Sequence, residues 1–194
     1  MNPLPLIVSL TGVEAAKPIP EAFASCAADG AGGVRAGGNR SPAISWRGAP
    51  AETLSFAVVV VDPDVPADFS TANTPGRVIA AEAPRRRFHH WLVIDIPPAV
   101  TDIEEGGRAP GRIGRNSFGD RSKGINGYDG PCPPWNDERI HNYHFMVFAL
   151  DVAAPDLGDV FSGEETEAAI AGHILARGEF MATYSTNARA QAEA

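Results

Sequence analysis

Three ionisable side chains stand at the ends of the most apolar runs in this chain, and their types suit work on an anion or a metal. Asp62 closes "TLSFAVVVVD" (53–62), His90 lies at the head of "HHWLVIDIPP" (89–98), and His141 opens "HNYHFMVFALD" (141–151). Successive residues of a strand point to opposite faces. On that rule Asp62 falls in line with Leu54, Phe56, Val58 and Val60, and His141 with Tyr143, Phe145, Val147 and Ala149. His90 falls in line with Phe88, Leu92, Ile94 and Ile96, and His89 takes the other face with Trp91, Val93 and Asp95. If the first run is antiparallel to the other two, all three groups meet at one edge of a sheet. An aspartate with two histidines offers one acceptor and two switchable donors, and the carboxylate favours the imidazolium. Such a group can hold a phosphate or a carboxylate. Asp62, His90 and His141 also have the composition of a two-histidine, one-carboxylate iron site, which defines the enzyme alternative. A protein with a purely structural or dimerising role and a vestigial pocket is the third. The sequence favours a binding site without metal, cofactor or catalytic residue. No closely spaced His–carboxylate pair presets a metal, and no G-x-S-x-G elbow supplies a nucleophile.

The elements that must position these groups are mostly strands. The runs 4–10, 43–46, 53–62, 89–96, 141–151 and 179–185 read as strands from their β-branched and aromatic content. "DPDVP" (62–66) reads as the stop of the strongest one, because proline cannot serve a central ladder. Residues 27–42 read as a Gly-rich loop, and 66–87 and 99–139 as long connections. "SGEETEAAIAGHILARG" (162–178) reads as a helix, with capping-box spacing at Ser162 and Glu165, an apolar stripe at Ile170, Ile174 and Leu175, and Gly178 as its close. Residues 187–194 read as a frayed tail. With no βαβ rhythm, the expected fold is mostly β: an antiparallel β-sandwich-like core with peripheral helices, including one near the C-terminus.

Bulk properties bound the function. A length of 194 residues suits one domain, 1–194. A net charge of −8 argues against a nucleic-acid binder. No apolar run approaches the roughly 20 residues of a membrane helix, and "MNPLPLIVSLTG" does not read as a signal peptide, so the expected location is the cytoplasm. Cys26 and Cys132 give no metal spacing. The favoured reading is two reduced, partly buried thiols, with a Cys26–Cys132 bridge left open because sequence does not give Cα distances. Of the sixteen Lys and Arg residues, those at 85, 86, 87, 108, 112, 115, 121 and 123 crowd one segment. They read as a solvated surface or as a basic rim around an anion site.

Four stretches, "GGNRSPAISWRGAP" (37–50), "VVVDPDVP" (59–66), "HHWLVIDIPP" and "NGYDGPCPPWNDERIHNYHFMVFALD" (126–151), resemble the phosphatidylethanolamine-binding protein family in its bacterial and archaeal Raf-kinase-inhibitor-like branch. The resemblance spans roughly residues 40 to 190. It implies an antiparallel β core with a small cavity for a phosphate-like anion or phospholipid head group. It also implies a homodimer and a kinase or protease partner as uses of such a chain. By motif, the implied ligand-binding residues are Asp62, Asp64, His90, Gly130, Pro131, Pro133, Pro134, His141 and Tyr143, with Cys132 inside the Gly-Pro-Cys-Pro-Pro wall. The chain departs from the family's usual H-R-Y at Asn142, which the alternation rule places on the face away from His141. The irregular stretches 66–87 and 106–124 are expected to shape the entrance.

Overall fold

The computed structural model describes residues 4–192, and the long apolar runs form its centre. In chain order the strands are β1 (Leu4–Pro5), β2 (Ile7–Leu10), β3 (Cys26–Ala28), β4 (Val34–Ala36), β5 (Ile44–Arg47), β6 (Ser55–Pro66), β7 (Arg85–Ile96), β8 (Asp102–Ile103), β9 (Arg112–Ile113), β10 (His141–Leu150) and β11 (Ile174–Tyr184). Helix α1 (Gly163–Ile170) precedes β11, and α2 (Ala188–Ala192) follows it. A six-stranded sheet runs β1-β11-β10-β6-β7-β9, and a three-stranded sheet runs β2-β5-β8. All pairings in these two sheets are antiparallel except β1 with β11. Leu6, Val8, Ile44, Trp46 and Ile103 of the smaller sheet and its flanks pack on Phe56, Val58, Val60, Trp91, Phe145 and Val147 of the larger one. The opposite face, with Ala57, Val59, Leu92, Ile94 and Leu150, is covered by Phe161 and Ile170 at the two ends of α1. This is the mostly β, sandwich-like core with peripheral helices that the pattern implies, and β6 is buried on both faces.

Three sequence expectations give way here. The helix expected over 162–178 stops at Ile170, and Ile174, Leu175 and Gly178 belong to β11. The capping box on Ser162 and Glu165 starts the helix, but the edge of β10 claims the residues after the Ala171–Gly172 turn. Gly178 is needed for close approach, since a Cβ there would stand 2.4 Å from the Leu6 carbonyl oxygen. Second, β6 runs through "DPDVP" to Pro66. The last β6–β10 pair is Val61 with His144, so beyond it β6 has a neighbour only in β7 and the prolines leave no ladder partner unmet. Third, the tail does not fray at 187. Asn187 donates to the Asp137 carbonyl and accepts from the Arg189 backbone N–H, which starts α2, while residues 193–194 lie outside the described residues. The Gly-rich stretch after Cys26 carries the β3–β4 hairpin.

The tightest helix–sheet contact is at Gly163, where a Cβ would meet the His89 ring at 2.1 Å. His89 is buried, so the ring cannot swing away. Gly163→Ala is therefore expected to destabilise the protein by about 2 kcal/mol or more. Gly172→Ala, at a turn with nothing within 4 Å of the new methyl, is expected to be neutral or slightly stabilising. Urea unfolding of the two variants checks this, and equal midpoints would show that α1 can lift off β7 freely.

Candidate functional site

The site is built where β10 separates from β6. Past Val61 and His144 the two strands no longer share backbone hydrogen bonds, and side chains take over. Nδ1 of His141 donates to Oδ2 of Asp62 at 2.7 Å, and its Nε2 donates to Oδ2 of Asp137 at 3.1 Å. Arg85 grips the same Asp137 carboxylate with Nη1 and, at 3.0 Å, Nη2. Two residues beyond Asp62, Asp64 accepts from the backbone N–H and the side-chain amide of Asn142 at 2.9 and 2.8 Å, and from Arg139 at 3.0 Å. The two carboxylates of "DPD" thus tie the splayed strands together. Asn142, where the resemblance leads to an arginine, thus shares Asp64 with the Arg139 guanidinium.

A cavity of about 340 Å³ opens beside this cluster. Of the residues expected to bind, Asp62, His90, His141, Tyr143, Pro133 and Pro134 line it. Asp64, Gly130 and Pro131 do not. Asp64 faces Asn142 and Arg139 because the ladder slips between Asp62 and Val65. Gly130 backs the wall against the Phe23 carbonyl, 2.0 Å from where a Cβ would lie. The Pro131 carbonyl accepts from the Ser25 and Cys26 backbone N–H groups. The long connections contribute lining residues that the motifs did not mark: Phe69 and Arg86 from one end, Phe118 and Arg121 from the other. Their sequence signals were the irregular stretches 66–87 and 106–124, expected at the entrance, and, for the two arginines, the crowding of cations over 85–123. Of that group, Arg85, Arg87, Arg112 and Arg115 pair with Asp137, Glu167, Asp95 and Asp120, whereas Arg86 and Arg121 have no ion pair among the described residues and face the cavity.

His90 reaches the cavity by a route the alternation rule misses. Trp91 pairs with Val60, but Val61 pairs with His89, so His90 is an extra residue in a β-bulge. It therefore lies with Trp91 and Val93 on the sandwich face, while Leu92 and Ile94 pack under α1. A second slip, at Asp95 with φ +59°, returns Ile96 to the sandwich face as well. His89 turns the opposite way, with Nε2 3.3 Å from Glu167. The His90 Nδ1–H donates to the Asp129 carbonyl at 2.6 Å, which leaves Nε2 as the free nitrogen, without a partner. The ring packs edge-on against Tyr143 and Phe118 at 5.2 and 5.5 Å between centroids.

The two histidines carry different charges. At His90 burial dominates and pushes the ring below its ordinary value, with Asp62 and Asp129 opposing it only in part, so it is neutral at pH 7. At His141 burial also disfavours charge, but the hydrogen bonds it donates to Asp137 and Asp62 overcome this and hold the imidazolium up to about 9. Asp137 is held below the carboxylate range because His141, Arg85 and the Arg139 N–H outweigh its burial. Burial and the Asp62 carboxylate, to which its hydroxyl is hydrogen-bonded, raise Tyr143 well above its ordinary value. With both nitrogens on carboxylates, His141 has no donor left for a ligand. The expectation of two switchable donors is corrected accordingly: one imidazolium is locked in the scaffold and one neutral ring faces the cavity.

The wall Cys132–Pro134 is pinned from behind. Cys26 and Cys132 form a disulfide with Cα atoms 5.0 Å apart, which corrects the expectation of reduced thiols. The bridge spans 106 residues, and nothing local in sequence reveals that β3 lies behind the wall. Thr186 adds a hydrogen bond to the Pro133 carbonyl at 2.7 Å.

Sandwich, splayed strands and buried acid–histidine cluster define a two-sheet β protein with a small, half-aromatic cavity at the strand ends. The comparisons say which. The sequence model of the phosphatidylethanolamine-binding protein family matches residues 11–185, and the chain belongs to that family. A UPF0098 protein of Methanothermobacter thermautotrophicus is 34% identical over 149 residues, covering 76% of this chain and 84% of that protein. One from Chlamydia muridarum is 35% identical over 144 residues, covering 74% and 81%. Among solved structures, Escherichia coli YbcL, described as a new member of the mammalian PEBP family, superposes with a TM-score of 0.71 at 26% identity, covering 93% of this chain and 98% of that one. A phosphatidylethanolamine-binding protein homologue of Chlamydia trachomatis superposes with a TM-score of 0.70 at 28% identity, covering 93% and 97%.

The His141 clamp should be visible in pH dependence. A free histidine loses its proton near 6.5, but this ring keeps it to about 9. Its contribution, on the order of 3 kcal/mol, is fully present below pH 6.5 and disappears as pH rises through about 9. Unfolding free energy is expected to fall across that window, and the His141 ring protons are expected to titrate well above 6.5 by NMR. A ring titrating near 6.5 would rule the clamp out.

Proposed function

We propose that this protein binds a small phosphate-like anion, such as a phosphoryl head group, in the cavity between Asp62, His90 and Tyr143. The observation that carries the reading is a convergence. Two guanidiniums without ion pairs, Arg86 and Arg121, and the free Nε2 of His90 face one cavity walled by Phe69, Phe88, Phe118, Pro133 and Pro134. The buried charges beneath are already matched: Asp62 and Asp137 against His141 and Arg85, Asp64 against Arg139. Surplus positive charge therefore sits at the rim, where it attracts and orients an anion. Phe88 and Phe118 meet edge to face at 4.9 Å, and Arg86 lies over Phe69 and Phe88. These rings offer an apolar bed for whatever carries the head group. Family membership supports a binding role of this type.

The metalloenzyme alternative finds less support, since Asp62 and His141 bond to each other and the second nitrogen of His141 is held by Asp137. Among the described residues no helix is long and apolar enough to cross a membrane. The Cys26–Cys132 bridge suits an oxidising compartment better than the cytoplasm, so a cytoplasmic location is not carried into this proposal.

Titration of phosphoethanolamine into 15N-labelled protein is expected to shift the amides of His90, Phe118, Cys132 and Tyr143 together. His90→Ala is expected to weaken binding at least tenfold while circular dichroism stays unchanged. Shifts scattered over the surface, or wild-type affinity in the variant, would sink the reading.

A further inference from the structure

The face of β10 that turns away from the cavity carries a different chemistry. Tyr143, Phe145 and Val147 enter the sandwich, so His144 and Met146 lie on the other face, in line with Phe148 and Leu150. The ladder with β11 is regular here and sets His144 opposite Met181 and Met146 opposite Glu179. One imidazole, two thioethers and one carboxylate thus form a square on one face of the sheet. Of the chain's three methionines, the two among the described residues are both in it. Side chains directly opposed on paired strands have Cβ atoms about 5 Å apart, and residues two apart on one strand are separated by about 7 Å. Both methionines therefore stand within reach of the ring, and their unbranched, polarisable side chains can adapt to it.

The imidazole is already oriented. Its Nδ1 donates to Oε1 of Glu179 at 2.7 Å. A carboxylate only accepts, so Nδ1 carries a proton, and Nε2, which has no hydrogen-bond partner among the described residues, is the nitrogen that can present a lone pair. Metal-bound histidines are held in the same way, with the second nitrogen on an outer carboxylate. Helix α1 lies against β7 at His89 and leaves this end of the face open. The His144 side chain is 28% exposed and that of Glu179 50%, and both methionines are half-buried. On the far side of β10 the neighbours are Val61 beside His144 and Val59 beside Met146, both buried. They add an apolar floor and no ligand.

We propose that Nε2 of His144 and the thioether sulfurs of Met146 and Met181 form a site for a soft monovalent metal ion of the copper(I) or silver(I) class. Thioether and imidazole ligands select a soft ion, whereas harder divalent ions call for carboxylates, carbonyls or several imidazoles. Among the described residues no three His, Cys, Asp or Glu side chains are grouped as such an ion would need. The charge agrees, since Glu179 is the one carboxylate of the square and balances a single positive charge. Cys26 and Cys132 are bonded to each other, so no thiolate competes for a soft ion. Binding involves no electron transfer: the ion enters monovalent, sheds water and takes three neutral donors.

Silver(I) is the probe, because it shares the charge and softness of copper(I) and needs no reductant that would open the disulfide. In the full chain labelled at its methionine methyl carbons, equimolar silver nitrate is expected to shift the Met146 and Met181 methyl signals and the His144 ring together. The Met1 methyl is expected to stay in place. So is the ring of His173, which has the same carboxylate partner type in Asp151 but lies outside the square. Zinc(II) at the same concentration is expected to move none of them. By calorimetry, Glu179→Gln is expected to cost about tenfold in silver affinity, and Met146→Leu and Met181→Leu at least as much each. Anaerobic competition with a chromophoric copper(I) chelator is expected to rank the variants in the same order. Silver shifts that spare either methionine, or that are as large at His173 as at His144, would overturn the site. Wild-type silver affinity in the double leucine variant would assign both methionines to packing alone. Zinc binding as tight as silver would overturn the soft-ion assignment. Leucine nearly conserves the volume of methionine, and if a variant does not fold, the wild-type methyl and ring shifts decide alone.

Discussion

The buried chain Asp62–His141–Asp137–Arg85 is the interaction on which the rest of this structure depends. Four charges are removed from water there, and each such ion costs several kcal/mol unless its partners are well placed. Here they are. Each nitrogen of the imidazolium meets a carboxylate, and Asp137 meets a two-pronged guanidinium. The chain links β6, β7, β10 and the segment before β10 at the level where the β6–β10 ladder has ended. Removing an inner member, His141 or Asp137, would leave an end charge, Asp62 or Arg85, without its ion-pair partner in the interior, which is worth about 3–5 kcal/mol. A pocket can exist at this place because side-chain charge holds the strands where backbone pairing no longer does.

That arrangement fixes what the remaining groups can do. A histidine held on both sides has no free nitrogen, so the cavity-lining ring with an unpartnered nitrogen is His90, which is oriented by a backbone carbonyl instead of a carboxylate. Its orientation depends on Asp129, a second buried acid that gathers donors from three separate stretches of chain, at Asn39, at Asn116 and at Ser122 and Lys123. The cavity wall is held with comparable redundancy. Pro131 is bonded to the segment before β3, Cys132 is bridged to Cys26, and Pro133 is bonded to Thr186. Prolines add their own stiffness, since φ is already set. The result is a rigid half of the cavity opposite a rim of longer side chains, Phe69, Arg86 and Arg121.

Sequence made the strands and their order of importance legible, because β-branched runs leave a strong signal and β6 is apolar on both faces. It also pointed to Asp62 and His141, since a charged group in line with large apolar ones is a local pattern, whereas His90 was reached through an alternation that the bulge overturns and Tyr143 through the motif resemblance. It could not show that Asp64 joins Asn142 and Arg139, because a ladder slip has no compositional mark. The disulfide was illegible for a different reason: the contact of β3 with the wall is a product of the whole fold. The helix was overdrawn because Ile174 and Leu175 have the spacing of a helical stripe and the composition of a strand. The neighbouring edge of β10 decided between them.

The adjacent histidines His89 and His90 show how little sequence change such a site requires. They share one strand and one residue type, and in a regular ladder they would face opposite sides with Trp91 beside His89. One inserted residue alters this. With the bulge, His90 and Trp91 both enter the sandwich side. The tryptophan fills the core beside Tyr128 at 5.7 Å, and the histidine is lifted to the cavity. Trp91 anchors the bulge through its indole N–H to the Asn126 carbonyl at 2.9 Å, and His90 anchors it through Asp129 at 2.6 Å. Both acceptors belong to the same connection, so the loop that contributes the wall also holds the strand irregularity that aims the ring. A regular strand here would place His90 under α1 against the apolar cluster of Leu92 and Ile94, where a polar ring has no partner. The bulge is therefore part of the site, as much as the side chain that it aims.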